Sequence, residues 1–348
     1  VLDLLKGKRK DNSGESMLTW IIMVAAIIVS LVIVIKSADL FVDNIVDIGE
    51  HVGISQVILG VTASAVGTSL PEFGSAMISI LSGNPDIGVG VTVGSNIWNI
   101  AGILGITAFI AGYIKTGKEE LKRDGLMALF TGLILMFFML IGNEITRVAG
   151  IVLVIAYLIY LWTLLKAQKK DNTEKEKRAK TEESSDVKEV EDKDSKPFNK
   201  KKTIILIIAG LAGLIIGCRI MVWAGVEIAH MANIPEMIIG LFALAIGTSI
   251  PELVVTLSAA LKKLHGLSMG TILGSNIFNI LIGIGIPSLF VAIPIEKLSV
   301  TFDAPYMIFV TALLILLTIK NKKLSRWGGL ILIVVYLIYI ITRLSITM

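Results

Sequence analysis

A carboxylate lies in the middle of an apolar run long enough to cross a bilayer. The run extends from Val57 to Leu81, and inside it the chain reads Gly67-Thr68-Ser69-Leu70-Pro71-Glu72. An ionised side chain at that depth costs roughly 3 kcal/mol on insertion scales. Pro71 lacks the N–H that would continue a helix, and its ring crowds the carbonyl one turn back, near Gly67. The helix is therefore expected to break where the acid sits. Carbonyls freed at membrane depth are tolerated only when buried in protein or lining a watery cavity. A carboxylate beside such carbonyls has the chemistry of a hard-oxygen cation site.

The same stretch returns 180 residues later as Gly247-Thr248-Ser249-Ile250-Pro251-Glu252, and the offset holds without a gap for about fifty positions. Gly94-Ser95-Asn96-Ile97-Trp98-Asn99 pairs with Gly274-Ser275-Asn276-Ile277-Phe278-Asn279. A match of this length at fixed period indicates an internal duplication. One buried glutamate could be a neutral, hydrogen-bonded core acid. Two copies, each after a helix-breaking proline and each followed by G-S-N-I-x-N, are hard to explain as packing. Gly90-x-x-x-Gly94 and Gly270-x-x-x-Gly274 also recur, and this spacing lets helices approach closely. They are expected to bring Asn99 and Asn279 near the two glutamates.

Of the 348 residues, 54% are hydrophobic, and the mean hydropathy is +0.81. Several runs reach the roughly 20 residues that span a bilayer as helix. The expected fold class is an all-α polytopic membrane protein embedded in a lipid bilayer. The formal net charge of +4 is spread over both sides of the membrane and gives no reason to expect nucleic acid. One cysteine, Cys218, excludes an internal disulfide, and the three histidines are too scattered for a zinc cluster.

Hydropathy predicts ten spans: 18–46, 55–81, 87–111, 125–142 and 146–165, then 203–230, 235–261, 267–290, 303–319 and 327–345. Residues 1–17 form a basic tail with no apolar core of its own, so they do not read as a signal peptide. Residues 166–202 are rich in Lys, Glu, Asp and Ser, cannot bury a core, and read as a largely disordered linker. Five spans precede that linker (18–165) and five follow it (203–348). Because five is odd, the second half must enter the membrane in the opposite orientation, which gives two inverted five-helix repeats. Lysine and arginine set the sidedness. If the linker is cytoplasmic, so are the loops holding Lys115, Lys118, Lys122, Arg123, Lys262, Lys263, Lys320, Lys322, Lys323 and Arg326. The opposite loops hold Arg147, Lys297 and Arg343. Both termini are then extracellular, in a multi-pass protein of the cell membrane; the basic N-terminal tail, with Lys6, Lys8, Arg9 and Lys10, is the exception to the asymmetry and is outweighed by the loops. Asp39, Asp43 and Asp47 share one helix face near a span end, where a solvated stripe at the interface is the plainer reading and an ion funnel the alternative.

At the centre, Glu72 and Glu252 offer two oxygens each. Carbonyls near Thr68 and Thr248 add about two more, and Asn99 and Asn279 supply amide oxygens directly or through water. Six to eight oxygens match calcium and exceed the strict octahedron of magnesium. Hydroxyls of Ser69, Ser249, Ser95 and Ser275 could serve smaller sodium sites alongside. No sulfur or imidazole lies near, which argues against zinc, copper or iron.

The paired motifs, G-T-S-L-P-E with G-S-N-I-W-N and G-T-S-I-P-E with G-S-N-I-F-N, resemble the two repeats of sodium/calcium exchangers in the cation/calcium antiporter superfamily. The resemblance covers nearly the whole chain. It implies exchange of intracellular Ca²⁺ for extracellular Na⁺ by alternating access, with the first and sixth spans sliding against the other eight. It also implies that Glu72, Glu252, Thr68 and Thr248 bind Ca²⁺. Ser69, Ser95, Ser249, Ser275, Asn99 and Asn279 would help hold Na⁺, with the glutamates shared. Some relatives carry Asp in place of the last Asn of one repeat; here both are Asn. No third carboxylate is then present to balance an additional Na⁺, so exchange is expected to be electrogenic. A Ca²⁺/H⁺ antiporter of the same superfamily is the alternative, although those relatives tend to carry G-N-x-x-E. A passive cation channel is a more distant one. No enzymatic constellation, organic cofactor or protein partner is read from the sequence.

Overall fold

The computed structural model describes residues 13–51, 66–117, 121–142, 144–182 and 200–347. In chain order the helices are α1 (Ser13–His51), α2 (Leu70–Leu81), α3 (Pro85–Ala111), α4 (Leu121–Gly142) and α5 (Arg147–Glu182). They continue as α6 (Lys200–Ala232), α7 (Glu236–Thr248), α8 (Ile250–Leu261), α9 (His265–Phe290), α10 (Ser299–Ile319) and α11 (Arg326–Thr347). Among the described residues, eight helices are long and apolar enough to span a membrane, and the bent pair α7–α8 makes a ninth. The chain is a multi-pass helical membrane protein. The expected span 55–81 is described only from residue 66, so the ten-helix count rests on a segment outside the described residues.

The layering follows from which faces are apolar. Helices α3 and α9 are mostly buried, and their small residues let other helices close around them. The outer helices expose large apolar side chains such as Leu140, Ile141, Trp162, Leu316 and Trp327, as lipid-facing helices do. Helix α1 packs along α6. A Cβ on Gly217 of α6 would lie 2.7 Å from the Val34 side chain and 3.2 Å from its backbone nitrogen, so this seam is closed by backbone approach. In the acidic stripe of α1, Asp39 and Asp43 are exposed, and Asp47 accepts a hydrogen bond from Thr203 (3.1 Å).

The duplication extends into the periphery. Strand β1 (Tyr113–Lys115) pairs antiparallel with β4 (Lys323–Ser325), and β2 (Glu144–Ile145) pairs antiparallel with β3 (Ile293–Pro294). By the repeat offset, β1 corresponds to β3 and β2 to β4, so each small sheet takes one strand from each half. β1 and β2 flank α4 in the chain, as β3 and β4 flank α10, so the two sheets lie at opposite ends of these helices. Further out the register slips by one residue. Tyr160 donates to Asp124 (3.1 Å) and Tyr339 donates to Asp303 (2.9 Å), each pair 36 residues apart in the chain.

Two sequence expectations change. Helix α5 does not end near 165 but runs on to Glu182, so the first part of the expected linker is helical and α6 already begins at Lys200. Asp171 and Lys175, Glu174 and Arg178, and Glu176 and Lys180 stand four apart with the acid first, the order that supports a solvated helix. Residues 183–199 and 1–12 lie outside the described residues. Arg343 is not a loop residue either. It is fully buried on α11, where its guanidinium donates to both oxygens of Asp303 (3.0 and 3.2 Å) and to Glu296 (2.6 Å). Two carboxylates around one guanidinium are what make a charge tolerable at that depth.

Candidate cation site

Both motif helices break where the prolines predict. Helix stops at Thr68, Ser69 turns (φ −91°, ψ 2°), and α2 restarts at Leu70 with Pro71 in its first turn. In the second half α7 and α8 meet at Ser249 (φ −85°, ψ 13°) with a bend of 45°. Proline at this position needs no N–H and is pre-set for a helix start. The break places Glu72 and Glu252 in the first turns of α2 and α8, where helix N-termini favour negative charge.

The two glutamates are 1% and 0% exposed. Each is held by a serine of the other half: Ser249 donates to Glu72 Oε1 (2.6 Å), and Ser69 donates to Glu252 Oε1 (3.1 Å). Ser275 reaches the same Glu252 oxygen at 3.5 Å, and Thr68 also hydrogen-bonds that carboxylate. Ser95 instead donates to the Ala245 carbonyl (3.4 Å), and Thr248 donates back to Leu244 (2.9 Å). Ser95 therefore faces the backbone of α7 and Thr248 closes the last turn of α7, and among the described residues neither hydrogen-bonds a carboxylate.

Asparagine joins the two central helices. Asn96 donates to the Asn276 carbonyl (3.1 Å), and Asn276 donates to the Asn96 carbonyl (2.9 Å). Asn99 donates to Asn276 Oδ1 (3.0 Å). Sequence reasoning passed over Asn96 and Asn276 as ligand candidates, although they stood in the repeated G-S-N motif; their reciprocal bonds need the two halves face to face. The halves are not identical here. Trp98–Leu104, carrying Asn99, is a π-helical turn, a feature that often marks functional sites. In the second half, Ile282 and Gly283 both donate to Phe278 (2.8 and 3.2 Å), so the Asn279 carbonyl loses the helical bond Gly283 would have made.

The glycine expectation divides. On α3, a Cβ at Gly90 would lie 3.1 Å from Gly240 Cα and 2.9 Å from the Met237 carbonyl, so close approach to α7 is required there. On α9, a Cβ at Gly270 would meet nothing within 4 Å among the described residues. Its counterpart of Gly240 by the repeat offset, Gly60, lies outside them.

What remains unsatisfied defines the chemistry. Among the described residues eleven buried side-chain polar atoms lack a hydrogen-bond partner, and six of them belong to the motif residues: Glu72 Oε2, Glu252 Oε2, Asn96 Oδ1, Asn99 Oδ1, and both Asn279 side-chain atoms. Buried polar atoms are normally paired, so a cluster of orphaned oxygens calls for a bound species. Neither glutamate has a lysine or arginine partner among the described residues. No group of three or more His, Cys, Asp or Glu that could hold a metal ion is found there, so the donor set is two carboxylates plus neutral oxygens. That set fits a hard cation as cargo.

A helical membrane protein with paired broken helices and two buried carboxylates between its halves is the class that fold and site define. The comparisons give the family. The family described as "Sodium/calcium exchanger protein" matches residues 22–166 and 202–345, and the chain belongs to it. Among curated proteins, sodium/calcium exchanger MaX1 of Methanosarcina acetivorans is 29% identical over 90% of this chain and 96% of its own length. The uncharacterized membrane protein MJ0091 of Methanocaldococcus jannaschii is 31% identical over 92% and 97%. Among solved structures, the sodium-calcium exchanger NCX_Mj soaked with Na⁺ and Ca²⁺ matches with a TM-score of 0.60 at 28% identity, covering 92% of this chain and 98% of that one.

Proposed function

We propose that this protein exchanges Ca²⁺ for Na⁺ across the cell membrane by alternating access, and that the exchange is electrogenic. One observation carries the reading: the glutamates are cross-held by serines of opposite halves through Oε1, while both Oε2 atoms stay unpaired. Glu72, Glu252, Thr68 and Thr248 bind Ca²⁺. Ser69, Ser95, Ser249, Ser275, Asn99 and Asn279 help hold Na⁺, with the glutamates shared between the two ions. A serine hydroxyl that donates to a carboxylate in one loading state turns its lone pairs to Na⁺ in another. The carboxylates serve whichever cation is loaded, so the two ions compete for one site, as exchange requires.

The repeats are taken as inverted. The supporting features are the two equivalent strand pairs at opposite ends of α4 and α10, together with the odd number of spans per half that hydropathy predicts. Sidedness follows the lysines: the linker is cytoplasmic and the termini extracellular. With Arg343 withdrawn into α11, the opposite loops keep only Arg147 and Lys297, which sharpens that asymmetry. The moving unit is α1 with α6, which pack along each other and leave most of their apolar surface facing outward. The test is ⁴⁵Ca²⁺ flux in proteoliposomes with Na⁺, K⁺ and H⁺ gradients imposed one at a time. Uptake driven by Na⁺ alone is expected; uptake driven only by a pH gradient would hand the case to proton coupling.

A further inference from the structure

Between the end of β1, the start of α4 and the end of α10 lies a cavity of about 380 Å³, within the usual size of ligand pockets. It is remote in sequence from the cation site. Its walls are Leu121, Leu126, Ile315 and Ile319, and its rim carries Lys122 and Lys322. Leu126 and Ile319 are exposed, so the apolar walls open onto the surface that meets lipid. The site lies at span ends, where hydrocarbon gives way to headgroups.

We propose that this cavity binds one anionic phospholipid, its acyl chain against the four apolar walls and its phosphate between the two ammonium groups. Among the described residues neither lysine pairs with a carboxylate, whereas the neighbouring Lys115 and Lys323 lie over the Tyr113 ring at 5.9 and 5.8 Å. Lys322 is also fixed in place. It adopts a left-handed backbone (φ 51°), and its carbonyl accepts from the Thr116 amide at 3.0 Å. An apolar void facing hydrocarbon forfeits dispersion contacts unless a chain fills it. The duplication supplies an internal control. In the register that aligns Asp124 with Asp303 and Tyr160 with Tyr339, Lys122 corresponds to Thr301 and Lys322 to Asn143. The scaffold thus does not require lysine at either place, and the charge is confined to one membrane face. On the proposed sidedness that face is cytoplasmic, where anionic headgroups are concentrated.

The experiment is native mass spectrometry of the full chain in detergent, titrated with phosphatidylglycerol or with phosphatidylcholine of identical acyl chains. The first phosphatidylglycerol adduct should exceed the phosphatidylcholine adduct by about twenty-five-fold, at about fivefold per lysine. The preference should fall about fivefold for each lysine removed, in Lys122→Gln and in the double variant with Lys322→Gln. Ile315→Trp, which fills the cavity, should lose the first adduct while keeping the lysines. Lys200→Gln with Lys262→Gln, distant basic residues, should change nothing. Equal adducts of the two lipids on the unsubstituted protein would overturn the proposal. So would a preference that survives the double variant or falls equally in the distant pair. Unchanged thermal melting of each variant assigns any loss to binding rather than to folding.

Discussion

Glu72 and Glu252 differ from an ordinary buried acid pair in having no basic partner among the described residues and one orphaned oxygen each. A unit charge about 4 Å from a cation is worth about 4 kcal/mol per ionic charge at an effective dielectric near 20. Glu72→Gln or Glu252→Gln should therefore weaken Ca²⁺ binding by at least about a thousandfold and abolish uptake, with gel-filtration profile and melting curve retained. Calcium titration and flux by either purified variant check this; normal uptake would remove the central assignment. Asn279 allows a finer test, because both polar atoms of its amide are buried and unpaired. Asn279→Asp adds a third negative charge without changing the number of ions carried per cycle. The charge-moving step should then pass from the Na⁺-loaded carrier to the Ca²⁺-loaded one. Ca²⁺/Ca²⁺ exchange would become voltage-sensitive and Na⁺/Na⁺ exchange would cease to be, measured as isotope flux at two clamped potentials.

The elements that position these residues are closed by backbone contact, so they tolerate little added volume. Gly90 on α3 faces the backbone of α7, the helix that leads to Ser249 and Glu252. A Gly90→Val substitution should cost about 1–3 kcal/mol by overpacking and slow exchange by displacing Asn99 from the second half. Gly270→Ala, with nothing within 4 Å among the described residues, should melt close to the unsubstituted protein. A larger effect at 270 than at 90 would refute the ordering. The linker is a different case. Helix α5 runs on to Glu182, and deleting residues 184–198 should leave Na⁺-driven flux unchanged, because that stretch is charged and its composition offers no core to lose. Loss of flux with intact folding would show that it does more than connect.

For the whole molecule the decisive quantity is charge. Two carboxylates balance one Ca²⁺ or two Na⁺, and an additional Na⁺ finds only neutral oxygens. The Na⁺-loaded form should then cross with net positive charge. A unit charge moved through 100 mV is worth about 2.3 kcal/mol, equivalent to about a fifty-fold Ca²⁺ gradient. Flux at two clamped potentials in K⁺-free vesicles should show that dependence; a voltage-independent rate, or a strict need for K⁺, would exclude it. Sidedness has its own measurement. Ser184→Cys in a Cys218→Ser background should react with an impermeant thiol reagent only from the cytoplasmic side, since the label is then the single thiol in the chain.

The helix breaks, the paired glutamates and the duplication were legible in the chain alone, because proline chemistry and the cost of a charge in hydrocarbon are local facts. The membrane class and most span positions followed from hydropathy for the same reason. Contacts across the repeats were not legible. The serine of each half on the glutamate of the other, and the reciprocal Asn96–Asn276 bonds, join residues more than 170 positions apart and exist only when both halves are folded. Arg343 was misplaced because hydropathy puts any arginine near a span end into water; its partners, Asp303 and Glu296, are 40 and 47 residues away in sequence. The differing environments of Gly90 and Gly270 could not be read from their matching motifs either. A repeat specifies which residues recur, but the packing around each copy decides which of them touch.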